Sequence, residues 1–454
     1  MTIIRMRYSS KEKRNSRVEV WLLLSTIAFA IISFVHHHSQ IIILNDQTPL
    51  IDSSFHNGIS ITSSRIPSLE IIQRQLEQLS IRYYVHSDPR ISQPNITENL
   101  ILNRGRGRLK ERFRPEALLE HAVLEALEKH PLRTRTAQEA QLFIIPLRVG
   151  ASVIHRGLHM PKVIAALSEH EHWNYGHGHV IVALNTATFT YEHRSDVARH
   201  GFNKEIYDFF ANVTVVKSWD DFRCAQLTHN AAIRHDYKGL FAESKYTMSR
   251  YGFSLGLLAE PSLPYLEASY TVKFEHASNW IFYRTRVNAS FYNSTPYRHA
   301  PLSVSKTSIT FNQSCIGFDL NKTEWLQQFV NSKYCLAIRG DTPHTHALIR
   351  AVKVGCIPLI VSDYYPLYAP TFSSTIDMSR YSIFIGEGAF MKDPAGALMG
   401  ALAQSQVETE ARLRELRFAQ RVLLYDHPKS LFVQAFMKEA LLASELPPSK
   451  YSFV

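Results

Sequence analysis

Cysteine is scarce in this chain: Cys224, Cys315, Cys335 and Cys356 are the only four in 454 residues. That excludes a disulfide scaffold, which small secreted domains use in place of a large core. No internal repeat is evident. The basic run RGRGRLKERFR at 104–114 lacks aromatic stacking partners at useful spacing, so it reads as an exposed loop and not as a nucleic-acid site. Residues 36–78 lack periodic apolar content and cannot supply a core. They read as a polar stem, in which the run His36–His38 is solvated.

Acid is nearly absent from the first 17 residues. Six cations (Arg5, Arg7, Lys11, Lys13, Arg14, Arg17) stand against Glu12 alone, which is half of the chain's formal +10. The charge-free run VWLLLSTIAFAIISFV follows from Val20 to Val35. It is shorter than the about 20 residues usual for a membrane span, and thinner secretory-pathway bilayers tolerate shorter ones. The pattern predicts a cytosolic tail over 1–17, a signal-anchor helix over 18–35 and a lumenal remainder. A cleaved signal peptide is the rival, without a clean small-x-small site to support it. Sequons at Asn95, Asn212, Asn288, Asn312 and Asn321 suit a glycosylated lumenal body. Asn293 begins another, weakened by Pro296. About 375 residues remain after the stem, which suits two domains.

Strand and helix patterns alternate along that remainder, which implies parallel sheets with helices on both faces. A first lobe over 79–275 is expected to carry strands at 81–86, 141–146, 179–184 and 212–217, with helices at 116–129, 159–169 and 204–211. A second lobe over 276–454 holds WIFYRTR at 280–286 and YSIFIG at 381–386. A charged helix over Val407–Tyr425 is expected to pack back across the lobes. The most informative stretch is Ser332–Pro370. Tyr334–Ile338 reads as a buried strand, Gly340 as a tight turn, and Thr342 and Pro343 as the start of a helix ended by Gly355. Ile357–Val361 reads as the next strand. The N–H groups at such a helix start either receive an anion or bind nothing. Cys335 and Cys356 fall near the starts of neighbouring strands, where a bridge and two buried thiols are both open.

This stretch resembles the signature of the exostosin family of glycosyltransferases. Ser332, Lys333, Cys335, Leu336, Gly340, Asp341, Thr342, Pro343, Leu348, Ala351, Gly355, Cys356, Ile357, Pro358, Ser362 and Asp363 carry the likeness. Weaker echoes lie at IRYYVHSDP (81–89), TAQEAQLFIIP (136–146), HWNYGHGH (172–179) and 376–385. Two positions depart from the family pattern: Arg350 stands where an acid would hold ribose hydroxyls, and His346 where an arginine is usual.

The resemblance implies a GT-B-like α/β fold, two Rossmann-type lobes facing a cleft, behind the membrane helix and stem. It implies a Golgi or ER type II membrane enzyme that moves a sugar from a nucleotide sugar, a UDP-sugar by expectation, to a glycan or glycoprotein with inversion. No cofactor is required. No D-x-D occurs in the chain, so a metal held in that manner is not expected. The leaving diphosphate would be met by a helix start and by basic residues. Candidate donor contacts are Arg284, Arg286, Arg339, Gly340, Asp341, Thr342, His344, Thr345, His346, Arg350 and Asp363. Candidate bases are His179 and Asp88 in the first lobe; a structural role is the alternative for His179. Zinc held by His170, His172, His177 and His179 is disfavoured without cysteine ligands. Association with other transferases is compatible with the family. The alternative is an inactive exostosin-like lumenal protein that binds glycans or partners an active enzyme, for which Arg350 and His346 speak.

Overall fold

The structure is a computed structural model. It describes residues 68–101, 108–155, 157–184, 204–218, 251–259, 261–285, 315–318, 322–339, 343–369 and 371–445. The basic tail, the apolar run and most of the stem lie outside these residues. Among the described residues no helix is long and apolar enough to cross a membrane.

Short apolar runs build a first sheet from β1 (Tyr83–Val85), β2 (Arg133–Thr134), β3 (Leu142–Ile145), β4 (His179–Val182), β5 (Thr214–Lys217) and β6 (Tyr251–Ser254). Their order is β2-β1-β3-β4-β5-β6, and every pairing is parallel. The second sheet uses β7 (Asn279–Thr285), β8 (Cys315–Phe318), β9 (Ser332–Ile338), β10 (Ile357–Val361) and β11 (Ile383–Phe384). Its order is β11-β10-β9-β7-β8, again all parallel. Strands such as β4, β5 and β10 are buried at every residue, as parallel strands covered on both faces must be. Each sheet reverses direction once, between β1 and β3 and between β7 and β9. Ligands of open parallel sheets bind beside the carboxyl ends of strands at such reversals.

The helices that matter for the site are, in chain order, α1 (Leu69–Glu77), α2 (Arg108–Lys129), α3 (Lys322–Val330), α4 (His346–Lys353), α5 (Glu387–Lys392), α6 (Gln406–Leu423) and α7 (Phe432–Glu445). Four expectations need correction. Residues 69–77 are no stem: Ile72 and Leu76, one turn apart, are buried, and Glu77 accepts from Arg421 at 3.0 Å. The run 108–114, expected as loop, begins α2. α6 reaches Glu77 through Arg421 and the segment between the sheets through Gln420, and α7 reaches the first sheet itself. Phe436 of α7 meets Phe253 of β6, with ring centroids 5.4 Å apart. The last helix therefore packs on the first sheet, although the chain order assigned 276–454 to the second lobe. Finally, α4 starts at His346, not near Thr342. The Pro343 carbonyl is taken by the Ser362 hydroxyl at 2.8 Å, and extended Thr345 caps the helix by accepting from Ala347 N at 3.3 Å.

The segment between the sheets is held by one buried side chain. Gln420 of α6 accepts from Ala268 N at 3.0 Å and donates to the carbonyls of Leu266 at 2.7 Å and Val352 at 2.8 Å. We predict that Gln420→Leu, which removes the partner of buried Ala268 N and of Leu266 O and leaves Val352 O only its bond from Gly355 N, lowers stability by about 2–4 kcal/mol. Urea unfolding measures this, and an unshifted midpoint would show that the linker does not depend on Gln420.

Candidate functional site

Three strand ends meet on one carboxylate in the second sheet. Arg339 follows β9 and extends its pairing, donating its N–H to Val361 O at 3.0 Å. Asp363 follows β10, and Glu387 opens α5 just beyond β11. Arg339 Nε donates to Glu387 Oε2 at 2.9 Å, with only 5% and 8% of the two side chains exposed. Asp363 N donates to Glu387 Oε1 at 3.1 Å, and Glu387 N returns a bond to Asp363 Oδ1 at 3.0 Å. Burial pushes the Glu387 carboxyl up from its ordinary range, and the adjacent Arg339 charge opposes that rise. Cys335, in the middle of β9, is disulfide-bonded to Cys356, just before β10, with Cα atoms 5.8 Å apart.

The remaining donor-side candidates distribute as follows. Arg284 lies at the carboxyl end of β7, opposite Gly317 of β8 and beside the reversal point. His344 is buried, and burial followed by the nearby His346 drives its pKa down to about 3. Thr345 caps α4 and His346 is its first residue. Arg350 stacks on Trp325 of α3, its guanidinium carbon 6.0 Å from the ring centroid. Arg286, Gly340, Asp341, Thr342, Asn288, Asn312 and Asn321 lie outside the described residues.

In the first lobe the structure groups histidines that the sequence separates. His86, just after β1, stacks on His179 at 5.2 Å between ring centroids and meets His170 edge-on at 4.4 Å. Phe143 stacks on both His179 and His172. Neither ring nitrogen of His86 makes a hydrogen bond, nor does Nε2 of His179 or of His172. His179 is fully buried because β4 begins there, under Trp173 at 4.8 Å. Desolvation drives both His86 and His179 down to about 3. His179 is thus a core residue, which fits the structural role left open for it. Asp88 is partly exposed and caps the short helix Pro89–Ser92, accepting from Arg90 N at 2.7 Å. The Arg90 guanidinium bonds the same carboxylate at 2.7 Å and keeps its pKa low. Among the described residues no group of three or more His, Cys, Asp or Glu is arranged to hold a metal ion. Of the sequons, Asn95 is exposed, whereas Asn212 donates to Tyr175 O at 3.3 Å and its Thr214 is buried.

Sequence reading missed Glu387 and His86. His86 sits one residue and Glu387 three residues beyond the carboxyl end of a strand, and that position was the available signal.

The architecture defines a two-sheet, all-parallel α/β protein with a built polar cluster at the strand ends of its second sheet. Residues 277–398, which run from β7 past α5, match the family model for the Exostosin GT47 domain. That stretch of the chain is an exostosin glycosyltransferase domain by this match. Over 100 residues it is 35% identical to the probable arabinosyltransferase ARAD1 of Arabidopsis thaliana, covering 21% of each chain. Over 62 residues it is 32% identical to the xyloglucan-specific galacturonosyltransferase 1 of Arabidopsis thaliana, covering 14% of this chain and 9% of that one. The chain thus matches only a small part of the length of these curated relatives. A solved structure of the GtfA/B complex aligns at a TM-score of 0.28 with 10% identity, over 62% of this chain and 61% of that one.

The buried histidines predict acid sensitivity. Their folded pKa values lie near 3, below the unfolded value of 6.5, so the unfolded chain binds protons that the folded chain refuses. Stability present above pH 6.5 is then lost as pH falls toward 3, by about 1.4 kcal/mol per pH unit for each such group. Melting temperature should drop between pH 7 and pH 5, and drop less in His86→Phe. Equal melting at both pH values in the wild type would refute this.

Proposed function

We propose that this chain is an active glycosyltransferase. It transfers a hexosyl or pentosyl group from a nucleotide sugar, by expectation a UDP-sugar, to a glycan or glycoprotein with inversion. The observation that carries the reading is the coincidence of the exostosin domain match with the polar cluster at the ends of β9, β10 and β11. On this reading the two sheets face each other across a donor–acceptor cleft in GT-B fashion. The donor diphosphate lies at the β7–β9 reversal, near Arg284, Arg286, Arg339 and the turn Gly340–Thr345. Its charge is met by cations and backbone N–H groups, since the sequence has no D-x-D. His344 and Thr345 shape the turn as a neutral imidazole and a helix cap. Asp88, held ionised by Arg90, is the remaining base candidate in the first lobe.

We place the body in the lumen of the Golgi or ER, anchored by the run at 18–35. The buried Cys335–Cys356 bridge supports this, because such bridges persist in oxidising compartments. The basic tail and the sequons point the same way. A second reading, an inactive exostosin-like glycan-binding or partner protein, draws on one observation: Arg350 packs on Trp325 where the family has an acid for ribose.

UDP calorimetry separates the two readings. The wild-type chain should bind UDP in EDTA, and transfer should survive chelation. Arg350→Glu should weaken binding, losing a cation and its stacking, worth roughly 0.5–2 kcal/mol. Absent binding in the wild type, gained in Arg350→Glu, would establish the inactive reading. Abolition of transfer by EDTA, with rescue by Mn²⁺ alone, would refute the metal-free charge scheme. For topology, endoglycosidase should reduce the mass of protein made in secretory cells, and its bulk should resist protease in intact microsomes. An unglycosylated, protease-exposed product would overturn the lumenal placement.

A further inference from the structure

Glu387 lies beyond the signature segment, yet its carboxylate is the hub on which β9, β10 and β11 end. Its two oxygens serve different partners. Oε2 takes Arg339 Nε at 2.9 Å, and Oε1 takes the Asp363 N–H at 3.1 Å. Its own N–H closes a ring back to Asp363 Oδ1 at 3.0 Å. Water does not compete for these contacts, because the Arg339 and Glu387 side chains are 5% and 8% exposed.

Stability alone explains such a pair poorly. Removing two charges from water costs about as much as their attraction returns, and apolar replacements of buried ion pairs are often neutral or stabilising. What the pair does supply is a fixed geometry. Arginine's planar fork binds an anion bidentately, so the orientation of its plane decides how well it fits. Arg339 stands one strand from Arg284 in the sheet order, beside the reversal between β7 and β9. A guanidinium bridged from behind through Nε is turned about an axis that Glu387 fixes. The Asp363 turn is locked to the same carboxylate, so the loops after β9 and β10 share one reference point.

We propose that Glu387 is a positioning residue of the donor site, which sets the Arg339 guanidinium for the nucleotide diphosphate and holds the Asp363 turn in register with it. This rests on the donor reading above. It names a residue that acts through Arg339 and not on the sugar itself.

The test is calorimetric titration of the detergent-solubilised full chain with UDP and with GDP, beside melting of each ligand-free variant. Glu387→Gln should melt close to wild type while binding at least about tenfold more weakly, the scale on which small misplacements of a binding group act. The double variant Glu387→Gln/Arg339→Gln should bind no worse than Arg339→Gln alone. A merely structural role would instead add its loss to that of Arg339. Wild-type affinity in Glu387→Gln, or additive losses in the double variant, would overturn the assignment and leave the donor reading intact. Should Glu387→Gln fail to fold, Glu387→Asp carries the test. It keeps the charge but shortens the reach, so the same loss is expected and unchanged affinity overturns the proposal. A wild-type chain that binds neither UDP nor GDP would overturn the donor reading and this assignment together.

Discussion

The linker between the two sheets has to bury backbone that belongs to neither. Its N–H and C=O groups have no ladder to join, and buried backbone groups need partners. Gln420 supplies them, with one acceptor and two donated bonds to Ala268, Leu266 and Val352. Arg417 adds a bond to Ala268 O at 3.0 Å, and Leu266 N reaches Lys353 O at 3.1 Å. The fit leaves no room at Gly355. Its φ of +65° is open to glycine, and a Cβ there would stand 2.7 Å from Leu266 O. Two of these partners, Val352 and Lys353, belong to α4 or its last turn. The helix that frames the candidate donor turn is thus fastened at its far end to the joint between the sheets.

Strands β9 and β10 are fastened to each other twice. Cys335 in the middle of β9 joins Cys356 just before β10, and Arg339, Glu387 and Asp363 join their finishes. Between these ties every residue of β10 is buried. The turn linking β9 to α4 therefore leaves a rigid edge. It is pinned further where Ser362 takes the Pro343 carbonyl, which delays the helix until Thr345 can cap it.

Much of this was legible in the chain because parallel strands announce themselves as unbroken apolar runs. Tyr334–Ile338 and Ile357–Val361 were read within two residues of their observed limits, and Gly355 ended its helix as expected. The helix start was misread because Thr342-Pro343 is a good local cap. A tertiary bond from Ser362 outweighed that preference, and no local rule contains it. For His179 the sequence left a base and a structural role both open. Its residue type suggests proton transfer, but chemistry depends on exposure, and β4 buries it among Phe143, Trp173 and His86. The ion pair of Arg339 with Glu387 spans 48 residues, a separation at which sequence spacing carries no information. The disulfide stayed open for the same reason: adjacent strand starts permit a bond without requiring one.

The charge balance of the second-lobe cluster constrains how a diphosphate is held there on the donor reading. Arg339 brings one positive charge, and Glu387 and Asp363 bring two carboxylates bonded to it or to each other's backbone. Inside this group the cation is already offset. His344 is neutral at physiological pH, with its pKa near 3, and Arg350 lies over Trp325. Attraction by net charge is therefore weak within the cluster, and direction matters more. On that reading an arginine whose plane is fixed and a neutral imidazole would act as preset dipoles, which need no reorganisation when charge develops on the leaving group. In the sheet order Arg284 falls at the end of β7, across the reversal point from β9, and on the donor reading it is the candidate for further positive charge. The carboxylate that offsets Arg339 is thus also what makes its direction usable, and the site exchanges field strength for geometry.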